Sequence, residues 1–254
     1  MPVLERPDAE IHYDVVGNGY PVLMFAPGFL SSRRERWATN PAKPGVDQPW
    51  ADPVPVLAPH FQLVLLDVRN AGQSIGAIKP GYDWYTYTDD HLALLDHLGI
   101  ERCHVMGACI GVSFALSVAE VKQGLVTSLV LQNPIGRVPY NGEALQGEYD
   151  QWAAEVGRRD DVDPAILPAI GKAMFGGDFV FSVTPDFVAG LDLPILLMPG
   201  DDVMHPTETS AELASLAGNG TVVSPWKGGD HRDAAMLEVR DFLLKTMPDD
   251  HEQP

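Results

Sequence analysis

A cysteine flanked by glycines is the residue of this chain whose type and spacing most directly predict chemistry. Cys109 stands in Gly107-Ala-Cys-Ile-Gly111, between an apolar run and a helical stretch. Small residues at both ends permit a sharp strand-to-helix turn, which places the central side chain at the carboxyl edge of a sheet. The positive end of the following helix lowers the pKa of a thiol and so favours the nucleophilic thiolate. We therefore predict that Cys109 is a nucleophile; the alternative is a buried structural thiol, with glycines that serve packing alone.

The segments around this motif predict a mostly parallel sheet. Short apolar, β-branched runs alternate with longer stretches of helical periodicity, which is typical of βαβ units. The predicted strands are Ile11–Val16, Pro21–Ala26, Phe61–Asp67, Cys103–Met106, Val126–Gln132, Leu193–Met198 and Thr221–Ser224. The predicted helices between and after them are Tyr85–Leu98, Val112–Val121 and Met236–Met247. The sequence therefore predicts an α/β fold that brings the end of the Cys103–Met106 strand, and with it Cys109, to one edge of the sheet.

Two longer stretches interrupt the alternation. Thr39–Ala58 carries five prolines and little periodicity, so we predict a long surface loop. Pro134–Gly190 is rich in aromatic residues and has helical segments at Glu143–Val156 and Pro164–Met174. Because insertions of this length are usually functional, we interpret 134–190 as a helical lid. The predicted domains are then a core of 1–133 and 191–247, the lid of 134–190, and a disordered acidic tail of 248–254.

The cysteine motif and three further segments resemble the α/β-hydrolase superfamily, in the version with Cys where most members have Ser. Phe25-Ala-Pro-Gly-Phe29 is similar to the family's oxyanion loop, with Pro in place of the usual His. Asp67–Ser74 is similar to its Asp-x-Arg-Gly-x-Gly-x-Ser segment, with Asn70 in place of the first Gly. Leu94–Ile100 matches the helix end that precedes the strand of the motif. The resemblance implies an α/β-hydrolase fold, with helices on both faces of the central sheet and a lid above the site.

The resemblance also implies a base and an acid for the nucleophile. The family carries its base after the last strand, where this chain has His231. Its acid follows the strand after the lid, where Asp202 fits the usual spacing better than Asp201, which stays as the alternative. The other acid position of the fold, after the preceding strand, holds Asn133 and is disfavoured. We therefore predict a triad of Cys109, His231 and Asp202.

Substrate-binding residues are expected after the oxyanion loop, in the lid and near the acid. One of the clustered arginines Arg33, Arg34 and Arg36, with Arg33 taken as the candidate, could hold a substrate carboxylate with two parallel hydrogen bonds, although pairing with acids on a solvated surface is favoured. Trp152 is expected to wall the pocket, with packing inside the lid as the alternative. His205 is expected to line the pocket, with capping of the following helix as the alternative.

Composition argues against several function classes. The 254 residues include 35 acidic and 17 basic side chains, a formal net charge of −18, which disfavours nucleic acid and anionic membrane surfaces as partners. No apolar run is long enough to cross a bilayer, and the first residues lack a signal-peptide pattern. Cys103 and Cys109 are too few for a disulfide framework, and no zinc-type spacing includes them. We therefore expect a cytoplasmic protein that acts on a small molecule without a metal or an organic cofactor, and a homodimer is compatible with the sequence.

Together these residues predict a hydrolase that cleaves an ester-like acyl bond, in an ester, an enol lactone or a thioester. Cys109 would attack the carbonyl, the backbone N–H groups of Phe29 and Ile110 would hold the oxyanion, and His231 would activate water against the thioester. Scarce cations favour a neutral or apolar acyl substrate. Carbon–carbon bond hydrolysis, acyl transfer, a non-catalytic ligand-sensing role and a cofactor-free oxygenase or perhydrolase stay open. Haloalkane dehalogenation is excluded, because it needs Asp where Cys109 stands.

Overall fold

A central sheet of nine strands organises the computed structural model, which describes residues 2–40 and 44–249. In chain order the strands are β1 (Val3–Arg6), β2 (Ala9–Val16), β3 (Tyr20–Phe25), β4 (Phe61–Leu66), β5 (Ile75–Gly76), β6 (Cys103–Ala108), β7 (Val126–Gln132), β8 (Ile195–Met198) and β9 (Gly220–Val222). Their order across the sheet is β1-β2-β4-β3-β6-β7-β8-β9, and β5 pairs with β2. The pairs formed by β2 are antiparallel, whereas every neighbouring pair from β4 to β9 is parallel. The predicted, mostly parallel sheet is confirmed.

Helices cover both faces of this sheet. In chain order they are α1 (Pro53–Leu57), α2 (Trp84–His97), α3 (Gly111–Val121), α4 (Gly142–Val156), α5 (Leu167–Phe175), α6 (Pro185–Ala189), α7 (Thr207–Leu216) and α8 (His231–Lys245). Leu94 of α2 and Phe114 of α3 belong to the core on one face, and Leu57 of α1 and Val239 of α8 belong to the core on the other. The predicted α/β-hydrolase architecture is therefore confirmed. Across the described residues, no helix combines the length and the apolar character that a bilayer crossing requires.

Strand β4 shows how one apolar run serves both cores. Leu63 and Leu65 belong to the core beneath α1 and α8, whereas Val64 and Leu66 belong to the core beneath α2 and α3. Successive side chains of a strand point to opposite faces, so a strand covered on both sides must be apolar throughout. The sheet is thus held rigidly between two helical layers, and its carboxyl edge is a fixed platform for the loops that follow β3, β6, β7 and β8.

The segment 39–58 differs from the prediction of a continuous surface loop, because α1 forms within it. The side chain of Asp52 accepts a hydrogen bond from the Val54 N–H at 3.0 Å, and Pro53 occupies the first helical position. Both features start helices: the carboxylate satisfies an unpaired backbone donor, and proline has no N–H to leave unpaired. Residues 41–43 lie outside the described residues.

Two further segments bear on the predicted organisation. Helices α4, α5 and α6 fall between β7 and β8, in the stretch predicted as the lid. Helix α8 begins at His231 rather than at Met236, because its polar first turn is helical without showing apolar periodicity. The predicted disordered tail, 248–254, lies outside the described residues from residue 250 onward.

Candidate active site

Cys109 lies in the sharp turn that joins β6 to α3. Its backbone has a φ of 58°, a left-handed conformation that strains a residue other than glycine. The flanking glycines make the turn possible: a Cβ at Gly107 would lie 2.1 Å from the Gly111 oxygen, and one at Gly111 would lie 2.3 Å from the Phe25 oxygen. The Cys109 N–H donates to the Gln132 oxygen at 3.0 Å, which ties the turn to β7. The motif therefore holds this side chain at the carboxyl edge of the sheet.

The surroundings of the Cys109 thiol favour its thiolate form. Burial by itself raises the pKa of the thiol, but the charge and hydrogen bonding of His205 outweigh it, and the backbone N–H groups of Ile110 and Gly28 act in the same direction. The net result is a Cys109 pKa below its ordinary value, since each of these groups stabilises negative charge on sulfur. Cys103, in β6, shows the opposite case, because burial raises its pKa to about 12.

His205 is the imidazole that interacts with this thiol, and Asp202 orients it. His205 Nδ1 lies 2.8 Å from Asp202 Oδ1 and 3.0 Å from Oδ2. Asp202 Oδ1 also accepts hydrogen bonds from the backbone N–H groups of Met204 at 2.9 Å and His205 at 3.0 Å. The carboxylate favours the proton on Nδ1 and directs Nε2 away from itself. Nε2 is buried and makes no hydrogen bond of ordinary geometry within the described residues, so Cys109 is the group positioned to use it.

Cys109, His205 and Asp202 each stabilise the charged form of a neighbour. Burial lowers the pKa of His205, but Cys109 and Asp202 outweigh this effect and raise it to about 9. Burial raises the pKa of Asp202, but hydrogen bonds and charge from His205, with the Met204 N–H, lower it to about 2. At neutral pH the arrangement therefore favours a thiolate and an imidazolium beside a carboxylate.

The structure places His231 at the start of α8, and no interaction between its side chain and Cys109 is found among the described residues. It is the first residue of α8, its side chain is exposed, and its N–H donates to the Gly228 oxygen at 3.2 Å. It is not among the described residues that line the cavity at Cys109. The loop after β8 is short and turns back at 202–205, and this turn brings His205 to the thiol instead. The structure thus brings His205 to Cys109, whereas the sequence-based prediction names His231.

Asp202, and not Asp201, contacts the imidazole. Asp201 forms an ion pair with Lys227, whose Nζ lies 4.9 Å from the ring centroid of Trp226. This pair links the loop after β8 to the loop before α8. Of the two candidate acids, Asp202 therefore has the geometry that an orienting carboxylate needs.

The two predicted oxyanion donors, Phe29 and Ile110, adjoin Cys109 from two loops. Phe29 lines the cavity with a φ of 55°, and its ring stacks on Phe175 with centroids 4.4 Å apart. Ile110 follows Cys109 directly and precedes the first residue of α3. Within 2–40 and 44–249, no carbonyl accepts a hydrogen bond from the Phe29 or the Ile110 N–H. Among these residues the Phe29 N–H therefore has no backbone acceptor, and the Ile110 N–H bonds the Cys109 sulfur instead.

A cavity of about 290 Å³ opens at Cys109. Its described lining consists of Pro27, Gly28, Phe29, Arg36, Thr39, Asn40, Trp50, Ala108, Cys109, Gln132, Asn133, Glu148, Gln151, Met204 and His205. The loops after β3, β6, β7 and β8 supply most of these residues, and α4 supplies two. A small organic molecule of ordinary metabolite size fits this volume.

Two predicted substrate-binding residues lie outside this cavity. The Arg33 side chain is partly exposed, and its Nε lies 3.8 Å from Glu35 Oε2. Trp152 is buried, with its ring centroid 6.4 Å from that of Tyr82 and 5.9 Å from that of Tyr149. On α4 it is the neighbouring Gln151 that faces the cavity, because consecutive helical residues point in different directions. His205 does line the cavity, as predicted.

Sequence reasoning missed the contact of His205 with Cys109, and among the three candidate arginines it chose Arg33 rather than Arg36, which lines the cavity. The available signal for His205 was the Asp-x-x-His spacing, which lets a carboxylate and an imidazole meet within one turn. No comparable signal separates Arg36 from Arg33, because the direction of each side chain depends on the short helical turn at Arg34–Trp37.

Comparisons with known proteins agree with this architecture. A sequence profile described as alpha/beta hydrolase fold matches residues 21–180. Over 188 residues the chain is 32% identical to the dihydrolipoyllysine-residue acetyltransferase component of the acetoin cleaving system of Pseudomonas putida, a match that covers 71% of this chain and 48% of that protein. The chain therefore spans about half the length of that relative.

Solved structures of similar fold include two hydrolases. A mutant of the meta-cleavage product hydrolase CumD has a TM-score of 0.69 at 17% identity, covering 96% of this chain and 98% of its own. The enol-lactonase of Burkholderia xenovorans LB400 has a TM-score of 0.64 at 20% identity, covering 96% and 100%. At these identities the likeness establishes the fold, and the profile match extends over more than half of the chain. This chain belongs to the α/β-hydrolase fold family.

Proposed function

We propose that this chain hydrolyses an ester-like acyl bond of a small molecule, with Cys109 as nucleophile, His205 as acid and base, and Asp202 as the orienting carboxylate. One observation carries the proposal: the Cys109 thiol and the imidazole held by Asp202 line the same cavity. A nucleophile, a base and a group that orients the base are the parts that covalent acyl transfer requires.

The first half-reaction forms a thioester. The Cys109 thiolate attacks the carbonyl carbon, and the carbonyl electrons move to an oxyanion that the Phe29 and Ile110 N–H groups stabilise. The oxyanion collapses, the bond to the leaving oxygen breaks, and the His205 imidazolium protonates that oxygen. The alcohol or enol departs, and the acyl group remains on sulfur.

The second half-reaction returns the enzyme to its starting state. The now neutral His205 takes a proton from water while the water oxygen attacks the thioester carbon. Collapse of the second oxyanion breaks the carbon–sulfur bond, which releases the acid and restores the thiolate beside the imidazolium. Asp202 keeps Nδ1 protonated in both steps, so that Nε2 is always the nitrogen that exchanges the proton.

The names of the structural relatives support a hydrolase of this class. One is an enol-lactonase and another a meta-cleavage product hydrolase. Activated acyl compounds also suit a thiolate, because a stable alkoxide or enolate leaves the first tetrahedral intermediate more readily than an amine does. Enol lactones, aryl esters and acyl thioesters are therefore the substrates to try first.

Turnover of such a panel, with mass spectrometry of the trapped acyl-enzyme, tests the proposal. We expect hydrolysis of at least one class and an acyl adduct on Cys109, and we expect Cys109→Ala to abolish both. Cys103→Ala is the matched control, because Cys103 is the other cysteine and is fully buried in β6. Turnover that survives in Cys109→Ala, or an adduct elsewhere, would overturn the assignment of the nucleophile.

Acyl transfer to an alcohol or amine is a second candidate, favoured by one observation. The Pseudomonas putida relative is named as an acetyltransferase component, although this chain spans only 48% of it. A thioester on Cys109 could pass its acyl group to an acceptor other than water by the same steps. Adding primary alcohols and amines to the panel distinguishes the two, since a transferase forms the new ester or amide faster than the free acid.

A further inference from the structure

Arg36 extends into the cavity beside the nucleophile. It lies in the short helical turn Arg34–Trp37 that follows the oxyanion loop, and it lines the same cavity as Cys109. Its side chain crosses Gly28 at close range: a Cβ at Gly28 would lie 2.4 Å from Arg36 Cδ and 2.7 Å from Nε. Gly28, with a φ of 132°, therefore leaves the space through which the guanidinium reaches the site.

The Arg36 guanidinium lacks the acidic partner that its neighbours have. Its Nε is buried without a hydrogen-bond partner, and no carboxylate oxygen of residues 2–40 and 44–249 lies within 4.0 Å of it. By contrast, Arg34 Nε lies 2.7 Å from Asp14 and Arg69 Nε lies 2.7 Å from Asp90. Since the chain has 35 acidic and only 17 basic side chains, an arginine that lines a cavity without an acidic partner is unexpected.

The charges around Arg36 leave a place for an anion. Burial lowers the pKa of Arg36 and the charge of Arg33 adds to this, while the charges of Cys109, Glu148 and Glu155 act in the opposite direction. The buried Nε without a hydrogen bond is costly, and a bound carboxylate would accept two parallel charge-assisted bonds from the guanidinium. Arginine suits this task better than lysine, because its planar donors match both carboxylate oxygens.

We propose that Arg36 binds a carboxylate carried by the acyl part of the substrate. The substrate class would then be esters or lactones of dicarboxylic acids, with the free carboxylate held at Arg36 while the other carbonyl meets Cys109. This replaces the expectation of a neutral acyl compound, which rested on the overall charge and not on the cavity. The inference rests on the proposed hydrolysis at Cys109, which it makes more specific.

Two esters that differ only in charge test whether Arg36 binds a substrate carboxylate. 4-Nitrophenyl hydrogen adipate carries a free carboxylate, and methyl 4-nitrophenyl adipate is the same chain with that carboxylate masked. For the unmodified protein we expect kcat/KM at least about tenfold higher for the free acid. Arg36→Gln should lower kcat/KM by about 100-fold for the free acid and by less than about threefold for the methyl ester, since one charge-assisted fork is lost.

Two control variants distinguish bidentate carboxylate binding by Arg36 from the effect of its positive charge alone and from misfolding. Arg36→Lys keeps the charge without the fork, and we expect it to recover only about a tenth of the unmodified activity on the free acid. Arg33→Gln removes a nearby arginine that lies outside the cavity and should leave the ratio of the two kcat/KM values unchanged. Circular dichroism confirms that each variant is folded. Equal losses on both esters in Arg36→Gln, or a preference of the unmodified protein for the methyl ester, would overturn the inference.

A binding measurement keeps this inference separate from the proposed function. Adipate should protect Cys109 from alkylation by iodoacetamide, dimethyl adipate should not, and Arg36→Gln should abolish the difference. Protection without any ester turnover would leave Arg36 as an anion site and refute hydrolysis. Turnover of the methyl ester through Cys109, with no protection by adipate, would refute the anion site and leave hydrolysis standing.

Discussion

A buried histidine beneath the active site, His91, should make the stability of the fold depend on pH. His91 lies on α2, fully buried, with its ring centroid 4.5 Å from that of Phe25 and 5.4 Å from that of Phe114. Both ring nitrogens are buried and have no hydrogen-bond partner in the described part of the chain. Burial, helped by the charge of Arg69, lowers the pKa of His91 to about 3. The folded protein therefore keeps this imidazole neutral over most of the acidic range.

The size of the effect follows from the two pKa values of His91. In the unfolded chain the imidazole takes up a proton near its ordinary pKa of about 6.5, whereas the folded chain does so only near about 3. Below pH 6.5 the unfolded state thus binds more protons, and its proton uptake favours unfolding. The stabilisation is fully present above pH 6.5 and is lost as the pH falls, by about 1.4 kcal/mol per unit. Between pH 7 and pH 5 the free energy of unfolding should fall by about 2 kcal/mol through His91 alone.

Urea unfolding at pH 7 and pH 5 measures this contribution. Other groups also titrate, so the informative quantity is the difference between the unmodified protein and His91→Leu, which cannot bind a proton. We expect the unmodified protein to lose about 2 kcal/mol more than His91→Leu between the two pH values. His97→Gln is the control, because it removes an exposed imidazole from the same helix and leaves His91 in place. Equal losses in the unmodified protein and His91→Leu would refute the reasoning.

Two further substitutions test the site itself. Gly28→Ala should lower kcat/KM by at least about tenfold with little loss of folded protein. The new Cβ would lie 2.4 Å from Arg36 Cδ and would displace the Arg36 side chain from the cavity wall. Unchanged kinetics would show that the close approach of Arg36 to Gly28 is unimportant. Asp202→Asn should shift the acidic and basic limbs of the pH–rate profile and lower kcat by about 100-fold or more, because the imidazole of His205 loses the carboxylate that fixes its proton. Asp201→Asn is its matched control, since Asp201 pairs with Lys227, and a larger loss in this variant than in Asp202→Asn would contradict the assignment.

Local patterns were sufficient to predict the fold and the position of Cys109. The alternation of apolar strands with helices fixes a mostly parallel sheet, and the order of β6, Gly-x-Cys-x-Gly and α3 leaves little freedom for the turn. The close contacts at Gly107 and Gly111 explain why this pattern predicts the turn, because a side chain at either position would collide with backbone atoms. The position of Cys109 is therefore determined by residues within a few positions of it.

The partners of Cys109 could not be predicted with the same certainty, because they come from distant loops. The choice between His205 and His231 depends on how the loop after β8 turns and on where α8 begins, and neither leaves a periodic signal. The same holds for Trp152, which packs against Tyr82 and Tyr149 although the neighbouring Gln151 faces the cavity. Chain order predicts Asp202, which contacts an imidazole in the structure, but it pairs this acid with His231 rather than with His205.

The pH dependence of Cys109 alkylation in two histidine variants tests the central claim, the pairing of Cys109 with His205, most directly. Iodoacetamide reacts with the thiolate, so the pH midpoint of its rate, followed by peptide mass spectrometry, reports the pKa of the Cys109 thiol. We expect a midpoint below the ordinary thiol pKa in the unmodified protein and in His231→Gln, and a midpoint above it in His205→Gln, where burial acts without the imidazolium. A midpoint that rises in His231→Gln and stays low in His205→Gln would contradict the pairing.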